Sequence, residues 1–160
     1  LSLYLYAETL YLDPIDMKSQ QTYKGTMQLS TDFIYFIIPF IAVFGTSAFF
    51  PVRQTAGAKI SFRPPPYVFA IVWPILLILI GYSWTLRPNL SPYYAGLTVL
   101  LAAWPVVFYY SPRLALYEII LTTVATAFLV LYEFEELSSY LLIPLELWLL
   151  FASVLNIYTL

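Results

Sequence analysis

Five stretches of about 20 apolar residues run through this chain, each long enough to cross the ~30 Å hydrocarbon layer as a helix. They extend from Phe33 to Val52, Tyr67 to Leu86, Pro92 to Tyr110, Leu114 to Tyr132 and Tyr140 to Leu160. Inside a bilayer no water is present to bond a bare backbone N–H or C=O, so each stretch must satisfy its own backbone as a helix. A water-soluble fold is excluded by the amount of apolar surface. Of 160 residues, 61% are hydrophobic and 10% charged, with mean hydropathy +0.80, whereas soluble domains have about 45–50% and about 25%. One core of this size cannot hide that surface.

The links "RQTAGAKISFRPPP", "RPNLS", "SPR" and "EFEELSS" are short, which forces neighbouring helices to run antiparallel. The sequence therefore predicts an all-α integral membrane fold, a five-transmembrane-helix bundle over residues 33–160. Residues 1–32 form an extension that does not span. Its "LSLYLYAETLYLDPID" alternates leucine with tyrosine and is broken at Asp13 and Pro14. Two readings of it stand side by side. One is an interfacial segment with tyrosines at headgroup depth. The other is an arm that docks on another subunit, since an exposed apolar segment invites a partner.

Charge and residue types exclude several functions. A net charge of -2 with seven Lys/Arg gives no basic field for nucleic acid. Histidine and cysteine are absent, which removes disulfides, Cys/His metal sites and imidazole bases. No catalytic or metal-binding residue is expected, and the chain reads as a non-enzyme. Arg53, Lys59, Arg63 and Arg113 flank one side of the bundle and Lys18, Lys24 and Arg87 the other, which orients the first link to the cytoplasmic-type side.

Within the spans a carboxylate is costly, so Glu118 and Glu146 need partners or a polar cavity. For Glu118 the plainer expectation is snorkelling toward, or pairing with, Arg113; for Glu146 it is a hydrogen bond across the bundle. The acidic "EFEE" link lacks the pattern of a calcium loop and reads as solvated. Thr122, Thr123, Ala125, Thr126 and Ala127 read as a packing face. Trp84, near a helix end, reads as an interfacial indole. Trp73, Trp104 and Trp148 lie deeper, and proline follows the first two. A proline beside a ring bends a helix and shapes a cavity wall, and an aromatic cavity suits flat, apolar ligands. Closed aromatic packing is the alternative.

Taken in order, these segments resemble the TspO/translocator protein family. "AGAKISFRPPPYVFAIVWPILLILIGYSW" is similar to that family's first loop and second helix, "AAWPVVFYYSPRLAL" to its A-W-P-x-x-F-F stretch, and "IPLELWLLFASVLN" to its fifth-helix motif. Pro39, Ala42 and Gly45 resemble its first helix, and Glu118 stands where an aspartate is usual. Phe62 and Tyr67 replace the loop tryptophans, Leu101 and Ala102 replace an asparagine and a tryptophan, and Leu145 replaces a tyrosine. The resemblance implies a first link folded over one end of the bundle and stiffened by Arg63, Pro64, Pro65 and Pro66. It also implies binding of a porphyrin or other tetrapyrrole, or a sterol or lipid, in a cavity lined by Phe62, Tyr67, Trp73, Trp104, Trp148, Phe151 and Asn156, and the resemblance alone leaves light-dependent porphyrin breakdown open as an activity. Expected partners are membrane lipids and a homodimer. The functional alternative is a non-catalytic accessory subunit of a large respiratory or photosynthetic membrane complex, held through residues 1–32. Bacterial, mitochondrial and plastid membranes all fit.

Overall fold

The computed structural model describes residues 14–52 and 60–158. The chain divides into two compact units, Leu1–Ile34 and Tyr35–Leu160. Among the described residues every regular element is helical: α1 (Pro14–Phe49), α2 (Pro66–Leu86), a 3-10 turn (Pro88–Leu90), α3 (Ser91–Tyr110), α4 (Pro112–Tyr132) and α5 (Leu137–Ile157). Five segments are long and apolar enough to cross a membrane, beginning with Thr31–Phe49 in α1. The protein is thus a multi-pass membrane protein.

Proline places most of the helix starts. Pro14, Pro66, Pro92 and Pro112 each sit in a first turn, where a missing N–H loses no helical bond and a fixed φ favours entry. That corrects one expectation: Pro14 opens a helix where the sequence suggested a break. The Leu/Tyr alternation of residues 1–13, and Arg53 and Lys59 of the first link, lie outside the described residues. The last span begins at Leu137, three residues before Tyr140, because Glu136 ends the preceding turn with an extended backbone. Interior prolines occur in α1, α2, α3 and α5 as Pro39, Pro74, Pro105 and Pro144, but α4 has none past its first turn. In α4 the hydroxyls of Thr122, Thr123 and Thr126 turn back to carbonyls one turn earlier, at 3.0, 2.7 and 2.9 Å. The three threonines are buried, as a packing face requires.

Within the second unit the helices form a ring. α4 packs on both α3 and α5, and α5 also packs on α2. α1 touches α2 through Tyr35, which stacks on Trp84 at 5.1 Å, and Phe50, just past the end of α1, meets Tyr109 of α3 edge-on at 5.7 Å. The α1–α2 approach is close because Gly81 has no side chain: a Cβ there would lie 2.6 Å from the Phe36 carbonyl oxygen. Leu77, Ile80, Leu97, Leu142, Leu145 and Leu149 fill the centre. Ile41, Ile71, Val99, Leu121 and Leu147 face outward, as the outer surface of a bundle solvated by lipid requires.

The end of the bundle carrying the second and fourth links is fastened by polar groups. Glu133 is 1% exposed. It accepts from Arg87 Nε at 3.1 Å and from the Tyr94 hydroxyl at 2.9 Å. Arg87 also reaches Glu136 at 3.4 Å. The Ser83 hydroxyl lies 2.6 Å from Tyr94 Oη and 2.8 Å from the Ser138 carbonyl, two acceptors for its one hydrogen. Trp84 stacks between Tyr35 and Tyr94, and its N–H donates to Ser91 Oγ at 2.9 Å. Two expectations are corrected here. Trp84 is buried in the core and is not an interfacial ring, and the "EFEE" link is not merely solvated, because Glu133 turns inward. The turn that permits this holds Glu135 at φ 74, a left-handed conformation that non-glycine residues rarely take.

Replacing Gly81 with alanine forces α1 and α2 apart. The expected result is a loss of about 1–3 kcal/mol, read as a lower thermal midpoint in detergent micelles with helical content retained at low temperature.

Candidate functional site

At the other end of the bundle, where the first link leaves α1 and enters α2, the ring encloses a cavity of about 360 Å³. Small-molecule sites span about 300–1,000 Å³. All five helices contribute to its wall. α1 supplies Val43, Phe44 and Ser47, and α2 supplies Phe69 and Trp73. Leu101, Trp104 and Pro105 come from α3, Glu118, Ile119 and Thr122 from α4, and Trp148, Ala152 and Asn156 from α5. Val52, Arg63 and Pro66 carry the wall to the end of the bundle. At 1.5 Å per residue, Trp104 and Glu118 each lie roughly 9 Å in from their helix ends.

The aromatic groups hold one another. Phe69 meets Trp148 edge-on at 5.4 Å, Trp148 leans on Phe151 at 5.6 Å, and Trp104 leans on Phe108 at 5.0 Å. Phe69 precedes Trp73 by four residues, which puts both on one face of α2. That spacing was legible in the sequence. Thr122 follows Glu118 at the same interval on α4, but only the fold shows that this face meets the cavity.

The structure thus brings Trp73, Trp104, Trp148 and Asn156 together in one wall, with Arg63, Pro66 and Glu118. It leaves other candidates outside. Phe62 is 50% exposed and meets Tyr158 edge-on at 5.9 Å; Tyr67 is 65% exposed. Phe151 supports Trp148 from behind. Pro64 and Pro65 lead into α2 without lining the cavity. Glu146 projects from α5 on a face that does not border it. Phe62 and Tyr67 were picked by their alignment with loop tryptophans, and a loop position does not fix which way a side chain turns.

The polar chemistry of the wall is unusual for a membrane interior. The indole N–H of Trp104, that of Trp148, Oε2 of Glu118 and both amide atoms of Asn156 are buried without a hydrogen-bond partner among the described residues. Each such group costs about 1–3 kcal/mol, and most buried polar groups are paired. Glu118 does not pair with Arg113. Its Oε1 lies 2.9 Å from the Thr122 hydroxyl, which also lies 3.0 Å from the Glu118 carbonyl oxygen. One hydroxyl hydrogen therefore serves two acceptors, and Oε2 has nothing. Asn156 is 2% exposed, so its amide cannot turn to solvent instead.

A site that leaves polar groups unpaired should not need them for folding. Asn156→Leu is expected to leave the thermal midpoint unchanged or raise it, because it removes a buried, unpaired amide. Ser83→Ala, at the fastened end, should lower stability by about 1 kcal/mol. Melting curves of both variants in the same detergent make the comparison.

A ring of five membrane-spanning helices around an aromatic, partly polar cavity defines the class of protein. The chain belongs to the TspO/MBR family, whose family model matches residues 34–160. A comparison with curated proteins finds no match for it.

Proposed function

We propose that the protein binds a flat, largely apolar ligand in the cavity, a tetrapyrrole first and a sterol or lipid second. The observation that carries this reading is the wall itself: three tryptophans and Phe69 supply broad apolar faces, while buried polar atoms of Trp104, Glu118, Trp148 and Asn156 lack partners among the described residues. Aromatic faces bind planar ligands through stacking and area burial. A few unpaired polar groups then fix orientation, as in most small-molecule sites. The reading is one of binding without catalysis, because the chain has no histidine or cysteine and the wall contains one carboxylate.

The test is a titration of the purified protein with protoporphyrin IX, followed by tryptophan quenching. Saturable quenching at micromolar ligand is expected. Trp104→Leu with Trp148→Leu should weaken it at least about 10-fold, by removing two faces that each bury ligand area. Unsaturable quenching, unchanged in the double variant, would sink the reading.

A second reading, that of an accessory subunit, is favoured by the helix that begins at Pro14, well ahead of the membrane span at Thr31. A helix beyond what the bilayer needs is a surface on which another subunit can sit. In that case the protein migrates in a large complex on native gels in mild detergent, and loses that migration when residues 1–30 are deleted. Migration as a lone monomer or homodimer counts against it.

A further inference from the structure

We propose that Glu118 sets the ligand's chemistry by requiring a hydrogen-bond donor, an N–H or O–H in the plane of the ligand, at the edge that meets α4. This rests on the cavity being a ligand site. The argument is a count of hydrogens. A carboxylate offers two oxygens and about four acceptor positions and has no hydrogen of its own to give. The structure supplies Glu118 with one donor, the Thr122 hydroxyl, and that single hydrogen lies between Oε1 at 2.9 Å and the Glu118 main-chain oxygen at 3.0 Å. Oε2 is buried with no partner among the described residues. The two indole N–H groups in the same wall are also without partners, so they do not reach the carboxylate.

Glu118 is the one acidic side chain in the wall among the described residues, and an ionisable group at this depth is costly without a partner. A ligand that buries Oε2 without bonding it adds a desolvation cost, whereas one that presents an N–H to it completes a hydrogen bond. The cavity therefore discriminates between flat molecules of equal size by the hydrogen at their edge. Discrimination of this kind is strong, because the wrong ligand leaves the protein's polar group unpaired.

Carbazole, N-methylcarbazole and dibenzofuran are planar tricycles of nearly one shape; the first has an in-plane N–H, the second none, the third an acceptor. Carbazole binding to the detergent-solubilised full chain is followed by its fluorescence anisotropy, and the other two by displacement of carbazole. The expected result is carbazole binding about 10-fold or more tighter than either analogue. Glu118→Leu should collapse that preference while retaining the analogues. Glu118→Gln, which keeps an acceptor oxygen and the side-chain length, should lose only part of it, and serves if the leucine variant does not fold. Equal binding of all three by the wild type overturns the donor requirement and leaves the cavity reading intact. So does a preference for dibenzofuran that Glu118→Leu abolishes, since the carboxyl would then be the donor. Binding of none of the three overturns the cavity reading and this inference together.

Discussion

One buried carboxylate organises the bundle. Glu133, at the start of a tight turn between α4 and α5, cannot be surrounded by leucines without a partner, because a bare charge in that setting costs several kcal/mol. Arg87 from the end of α2 and Tyr94 from α3 supply the partners. Four helices are thereby tied at one end by directional contacts. Trp84, lying flat between Tyr35 and Tyr94, extends the tie to α1. The cavity lies at the opposite end.

At that opposite end the sequence changes character. The first link there ends in three consecutive prolines, Pro64 to Pro66, and tryptophans replace the small residues and leucines that close the centre. Large rings on neighbouring helices hold the backbones apart, and edge-on and tilted contacts such as Phe69 with Trp148 leave space that a stacked pair would fill. The cavity is a result of that packing, and its polar atoms are left where no neighbouring helix offers a partner. Fastening one end and hollowing the other are two uses of the same five helices.

Most of the fold was legible in the sequence, because length and hydropathy decide a membrane helix without reference to its neighbours. Helix starts were legible where proline sits at the mouth of a span; Pro14 was misjudged because a proline after a polar residue reads equally as a break and a beginning. The wall of the cavity was legible in part. Trp73, Trp104 and Trp148 signal themselves by residue type and depth, and the family resemblance added Asn156. The fastened end was not legible. Nothing in "EFEE" separates the glutamate that turns inward from the two that do not; this depends on Glu135 taking a left-handed turn and on Arg87 arriving from 46 residues away in sequence. Glu118 was placed beside Arg113 by sequence distance, but on a helix the nearer neighbour is the residue one turn on, and Thr122 was there.

The two ends also differ in how sharply their contacts fix geometry. Hydrogen bonds are lost over a few tenths of an ångström and a few tens of degrees, so the end held by Glu133 keeps one geometry. The cavity end is held by dispersion between rings, spread over many weak contacts with no preferred direction. One end of the bundle is set by the direction of its bonds and the other by the area of its contacts.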